Sequence, residues 1–160
     1  EAQQLNERLA QARLAAPLPF IDAIATVSKI VWLQARFPDV MRRARRYLTA
    51  PDYLAYRLTG EAVTDPNTAS STGLYAEDAP DYDARVLGVA GLAGHQLSRI
   101  QPAGTPIAPV RPAQAAEWGL APGALFVAGA NDQYAGALGA GNCRPGIVTE
   151  TTGTYSSRNL

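Results

Sequence analysis

The chain has 160 residues, 47% hydrophobic and 18% charged, which is an ordinary globular composition long enough for one domain with a real core. Its formal net charge is +0, so there is no bulk attraction to nucleic acid or to an acidic membrane surface. No stretch approaches the ~20 apolar residues of a membrane span, and the lone cysteine, Cys143, cannot form an internal disulfide, so a reducing, cytoplasmic setting is expected.

Residues 1–14 read as a helix with Leu5, Leu9 and Ala12 on one face, broken by Pro17 and Pro19. Ser28 is the expected cap of a second helix reaching Phe37, and Pro38 is placed to open a third running to Arg46. The basic residues Arg42, Arg43, Arg45 and Arg46 read as a solvated helix face before a phosphate patch. Tyr47–Thr49 is short and β-prone. A helix is expected from Pro51 to Leu58, with Gly60 closing it, and then a short strand over Val63–Asp65. Pro66 to Gly73 reads as a turn-rich patch of small hydroxyl residues, and Asp83 to Val89 as a short helix. Four prolines between positions 100 and 112 imply extended connections, followed by a helix from Pro112 to Trp118 that stops at Gly119. His95 lies in a polar turn with no other histidine or cysteine cluster, so no metal site is expected.

The last forty residues differ in character. Ala124–Ala128 is an apolar run suited to a buried strand, Gly129–Asp132 a turn, and Gln133–Gly141 a helix of small residues. Ile147–Thr151 reads as a strand entering the tight turn Thr152-Gly153-Thr154. Strand, turn, helix, strand, turn describes an α/β layer with functional groups at strand ends. Two spots can carry chemistry. Asp132 is either a plain helix cap or a carboxylate held ionised at a helix N-terminus, able to accept a proton from a hydroxyl. Thr152-Gly153-Thr154 is either a hairpin turn or a cradle whose N–H groups and hydroxyls receive phosphate oxygens.

The run from Gly129 to Gly141, followed by Gly153-Thr154, resembles the FGGY carbohydrate kinases, in which a strand ends in Gly-x-x-Asp before a helix rich in Ala and Gly. Thr26-x-x-Lys29-Ile30-x-Trp32-Leu33 is similar to that family's Lys-x-x-Trp helix, with departures at Ile24, Ala35 and Arg36. Asp52-Tyr53-Leu54, Arg57-Leu58-Thr59-Gly60-Glu61, Thr64-Asp65 and Ala69-Ser70 follow in the family's order, and the spacing suits its xylulokinase-like branch.

The resemblance implies an α/β fold, part of an actin-like, ribonuclease-H-like ATPase domain with a mixed sheet and flanking helices. It implies ATP-dependent phosphorylation of a sugar or polyol hydroxyl, with Asp132 as general base. Asn131 and Gln133 match acceptor-binding positions, although xylulokinases commonly carry Asn at the latter. Gly153, Thr154 and Thr152 match the phosphate turn that meets ATP. The Mg²⁺ ligands are expected outside this chain. Lys29, Trp32 and Tyr53 are expected to be structural, and Thr64 and Asp65 either line the sugar side or cap a turn. The chain starts within a polar helix and ends just after a strand-like run, so residues 1–160 are expected to be a partial N-terminal, sugar-binding domain. Such a piece lacks the first phosphate hairpin and the ATP domain, is inactive alone, and exposes a sheet edge that favours a homodimer. The alternatives are a non-catalytic metabolite- or partner-binding module with the same fold and, last, another actin-like ATPase.

Overall fold

The computed structural model describes residues 2–11, 21–76, 79–152 and 156–159. Their order is α1 (Ala2–Gln11), α2 (Thr26–Arg36), α3 (Pro38–Met41), α4 (Ala50–Thr59), β1 (Val63–Thr64), α5 (Pro66–Ser71), α6 (Ala84–Ala90), β2 (Arg99–Ile100), β3 (Pro106–Pro109), α7 (Pro112–Glu117), β4 (Leu125–Val127), α8 (Asp132–Gly139), β5 (Thr149–Thr152) and β6 (Ser156–Asn159). Among the described residues the strands form three pairs rather than one continuous sheet. β1 runs parallel to β2, with Val63 opposite Arg99. β3 and β4 are antiparallel, with an irregularity between Pro106 and Ala108, and β5 pairs antiparallel with β6. Proline removes a ladder donor, which confines it to edges and bulges, and β3 carries one at each end.

The larger core joins α1, α2 and α6 through Leu5, Val27, Ile30, Leu74, Val86 and Leu97. Asn6 ties α1 to the entry of α2, donating from Nδ2 to the Ile21 carbonyl at 2.9 Å and accepting the Ile21 N–H at 3.1 Å. A smaller cluster of Leu58, Val110 and Ala115, with Phe126 against it, fastens the end of α4 to β3, β4 and α7. The Arg111 N–H donates to the Leu58 carbonyl across this junction at 2.8 Å. Gly60 ends α4 at φ +91°, where an L side chain is strained, and an added Cβ would lie 2.4 Å from the Arg111 guanidinium.

Several expectations shift. Ser28 does not cap α2: the helix begins at Thr26 after Ala25, and the buried Ser28 Oγ donates to the Asp22 carbonyl at 2.8 Å. α3 stops at Met41 instead of Arg46, so the exposed arginines follow a single turn rather than lining a helix face. Residues 47–49 form no strand; the Tyr47 N–H reaches the Gln96 carbonyl instead. The hydroxyl-rich patch after Pro66 is helix α5, because Asp65 accepts the N–H groups of Asn67 and Thr68 at 2.9 and 3.1 Å and Pro66 suits the first turn. β4 is not a buried strand: Leu125 and Val127 are 58% and 45% exposed, while Ala128 is buried. Trp32, on the exposed side of α2, packs edge-on against Phe37 rather than entering the core. Helices α4, α6 and α7 form where the sequence places them, as does strand β1.

The buried Asp83 caps α6, accepting the Arg85 N–H at 2.8 Å and pairing with the Arg85 guanidinium. The hydrogen bond from the Arg85 side chain, and secondarily the backbone N–H bonds, hold its carboxyl below the usual range. A depressed folded value stabilises the fold above the unfolded pKa and loses that contribution as pH falls through the lower, folded one. Asp83→Ala is therefore expected to destabilise the chain by about 1 kcal/mol at neutral pH, with the gap to wild type closing below about pH 4. Thermal melts of both proteins at pH 7 and pH 3 check this.

Candidate active site

Strand β4 ends at Val127, and the chain passes the buried Ala128 and turns through Gly129 and Ala130 into α8. Asn131 caps that helix: its Oδ1 accepts the Gln133 N–H at 3.1 Å. Asp132 is therefore the first helical residue rather than the cap. It is exposed, and its Oδ1 shares the same N–H at 2.8 Å. A carboxylate in the first turn is favoured in its ionised form by the helix dipole.

Asn131 and Asp132 line a cavity of about 500 Å³. Its other wall comes from the start of α4 and from the β1–α5 junction, through Thr49, Asp52, Thr64 and Asp65. Asp65 caps α5, one of the two roles left open by the sequence, and it also lines this cavity. Asp52 and Thr64 are only 5% and 7% exposed. The Thr49 and Thr64 hydroxyl oxygens are buried without a hydrogen-bond partner among the described residues.

A second cavity of about 370 Å³ shares Thr26, Thr49 and Asp52 with the first and carries Lys29 and Arg46 on its wall. There the Tyr82 hydroxyl donates to the Ser98 carbonyl at 2.8 Å. Burial first, and then the charges of Asp52 and Asp81, push the Tyr82 phenol above its usual range.

The structure thus brings Asn131 and Asp132 together with Thr64 and Asp65. Gln133 and Thr152 are not on the cavity wall, and Gly153 and Thr154 lie outside the described residues. Lys29 borders the second cavity, whereas the exposed Tyr53 accepts a bond from Arg57 Nη1 at 3.1 Å. Sequence reasoning missed Asp52 and Thr49. The available signal was the buried stripe Asp52, Ala55 and Leu58 on α4, where a carboxylate occupies a position that helical spacing assigns to apolar residues. Among the described residues no three His, Cys, Asp or Glu side chains cluster to hold a metal ion.

Residues 2–139 match the N-terminal domain of the FGGY family of carbohydrate kinases, and the chain belongs to that family. It is 33% identical over 133 residues to the autoinducer-2 kinase of Klebsiella pneumoniae subsp. pneumoniae, covering 83% of this chain and 25% of that protein. The autoinducer-2 kinase of Enterobacter sp. matches to the same extent. Among solved structures, xylulose kinase from Lactobacillus acidophilus superposes with a TM-score of 0.84 at 23% identity, over 98% of this chain and 32% of that one. A xyloylose kinase from Brucella ovis gives 0.75 at 30% identity, over 82% and 27%. The fold is accordingly that of the FGGY sugar kinases, and the chain spans about a quarter of the length of the curated relatives it matches. Among the described residues no helix is long and apolar enough to cross a membrane.

Removing the Asn131 cap should be felt at Asp132. Asn131→Ala is expected to cost about 1 kcal/mol in denaturant unfolding, and Asn131→Ser to restore most of it.

Proposed function

We propose that the protein carrying this chain transfers the γ-phosphoryl group of ATP to a hydroxyl of a small sugar or polyol, with Asp132 as general base. The observation that carries the reading is an exposed carboxylate in the first turn of α8, in a cavity whose other wall presents threonine hydroxyls and two further carboxylates. The acceptor hydroxyl gives its proton to Asp132 as its oxygen bonds to the γ-phosphorus. The bond from that phosphorus to the β–γ bridging oxygen breaks, and ADP leaves. In a loose phosphoryl-transfer transition state, orientation and electrostatics matter more than base strength, so a weak, fixed carboxylate suffices.

Asn131 holds Asp132 in place by starting α8 and, with Gln133, is our candidate for acceptor contacts. Thr152, Gly153 and Thr154 are our candidates for the phosphate turn. Most of the ATP site lies outside these residues in our reading, so the chain alone is inactive. Two acceptors merit assay first: autoinducer-2, from the names of the curated relatives, and xylulose, from the xylulose kinases that share the fold.

The test is Asp132→Asn in the full-length protein. The reading requires a loss in kcat of roughly 10²- to 10⁴-fold with unchanged thermal stability. An active variant removes Asp132 from the mechanism. Acceptor binding without turnover in the wild type would favour a binding module instead.

A further inference from the structure

Asp52 is a buried carboxylate, 5% exposed, on the inward stripe of α4. Among the described residues its oxygens form no hydrogen bond or ion pair. Burying a charge that way is costly unless a partner compensates it. Beside it on the same cavity wall, the hydroxyls of Thr64, 93% removed from solvent, and Thr49 are buried without partners among the described residues. Polar groups at depth are almost always satisfied, so two unsatisfied hydroxyls beside a carboxylate with no partner among the described residues, on one wall of one cavity, need a common explanation. The competing account for Asp52 is local. It sits in the first turn of α4, where the helix dipole alone favours a carboxylate. That account leaves Thr64 unexplained, because Thr64 belongs to β1.

We infer that Thr49, Asp52 and Thr64 form a hydroxyl-recognition wall that binds the non-reacting hydroxyls of the acceptor, and so selects it, while Asp132 addresses the reacting one. The inference rests on the kinase reading for its assignment of the reacting end. The chemistry of the wall is specific. A carboxylate only accepts, so Asp52 receives a hydrogen bond donated by an acceptor hydroxyl, and the threonines donate or accept as the acceptor's geometry requires. A site built to hydrogen-bond hydroxyls discriminates strongly against analogues lacking them, because its own buried groups are then left unpaired. Asp52 and Thr49 also border the second cavity, so a longer acceptor has room beyond this wall.

The test is calorimetric binding of xylulose, xylitol and glycerol to the full-length protein without nucleotide, alongside acceptor-dependent ADP release. At least one probe is expected to bind. Asp52→Asn should weaken it about ten- to a hundredfold, and Thr64→Val about three- to tenfold. In turnover the same variants should raise KM with little change in kcat. Thr64→Val is nearly isosteric and keeps the question open to measurement if Asp52→Asn fails to fold. Affinities unchanged in both variants, with only a lower melting temperature for Asp52→Asn, would mean a helix-end role and overturn the wall. So would failure of all three probes to bind. Binding that depends on the wall but yields no ADP sinks the transfer reading and leaves the wall standing. ADP release indifferent to Asp52 and Thr64 does the reverse.

Discussion

The cavity exists because α4 is fastened at its C-terminal end. Leu58 packs with Val110, Ala115 and Phe126, and the Arg111 N–H bonds the Leu58 carbonyl. Burying a leucine of this kind contributes on the order of 1.5–3 kcal/mol, against which a single surface ion pair is minor. With its C-terminal end held against β3 and β4, the opposite end of α4 carries Thr49 and Asp52 to the cavity that Asn131 and Asp132 enter from the end of β4. Gly60 permits this closure, since its positive φ lets the chain leave the helix directly toward β1 beside the Arg111 side chain.

Three aspartates border that cavity, and their surroundings separate their roles. Asp65 spends one oxygen on the first N–H groups of α5. Asp52 is enclosed. Asp132 alone is exposed, with its neighbour Asn131 acting as the helix cap. Of the three, Asp132 is the one whose exposure suits the base role proposed above, while Asp52 faces the cavity from an enclosed position. All three sit at helix N-terminal ends, so what separates them is burial and hydrogen bonding rather than residue type.

The parts of this arrangement written in local signals were legible in the sequence. Pro51 and Gly60 bracket α4, Asp83 announces α6, and Gly119 stops α7. The Asp132 neighbourhood was legible because strand, turn and small-residue helix follow one another without interruption. What failed had both distant and local causes. Ser28 looked like a cap, but Asn6 fixes Ile21 and α2 starts earlier, at Thr26, with the Ser28 hydroxyl turned to the Asp22 carbonyl. The small hydroxyl residues after Asp65 looked like a turn, yet one capped end turned them into α5. The apolar run of β4 looked enclosed, while its strand geometry turns Leu125 and Val127 outward. The Asp52 wall was missed for a related reason: its meaning comes from Thr64 and Asp132, which lie far along the chain.

The most direct measurement is a crystal structure of the full-length protein with a turned-over acceptor and a non-hydrolysable ATP analogue. The account requires the reacting hydroxyl to lie within about 2.6–3.2 Å of an Asp132 carboxylate oxygen, in line with the γ-phosphorus. An acceptor bound away from Asp132, or one whose reacting hydroxyl is met by a different base, would contradict it.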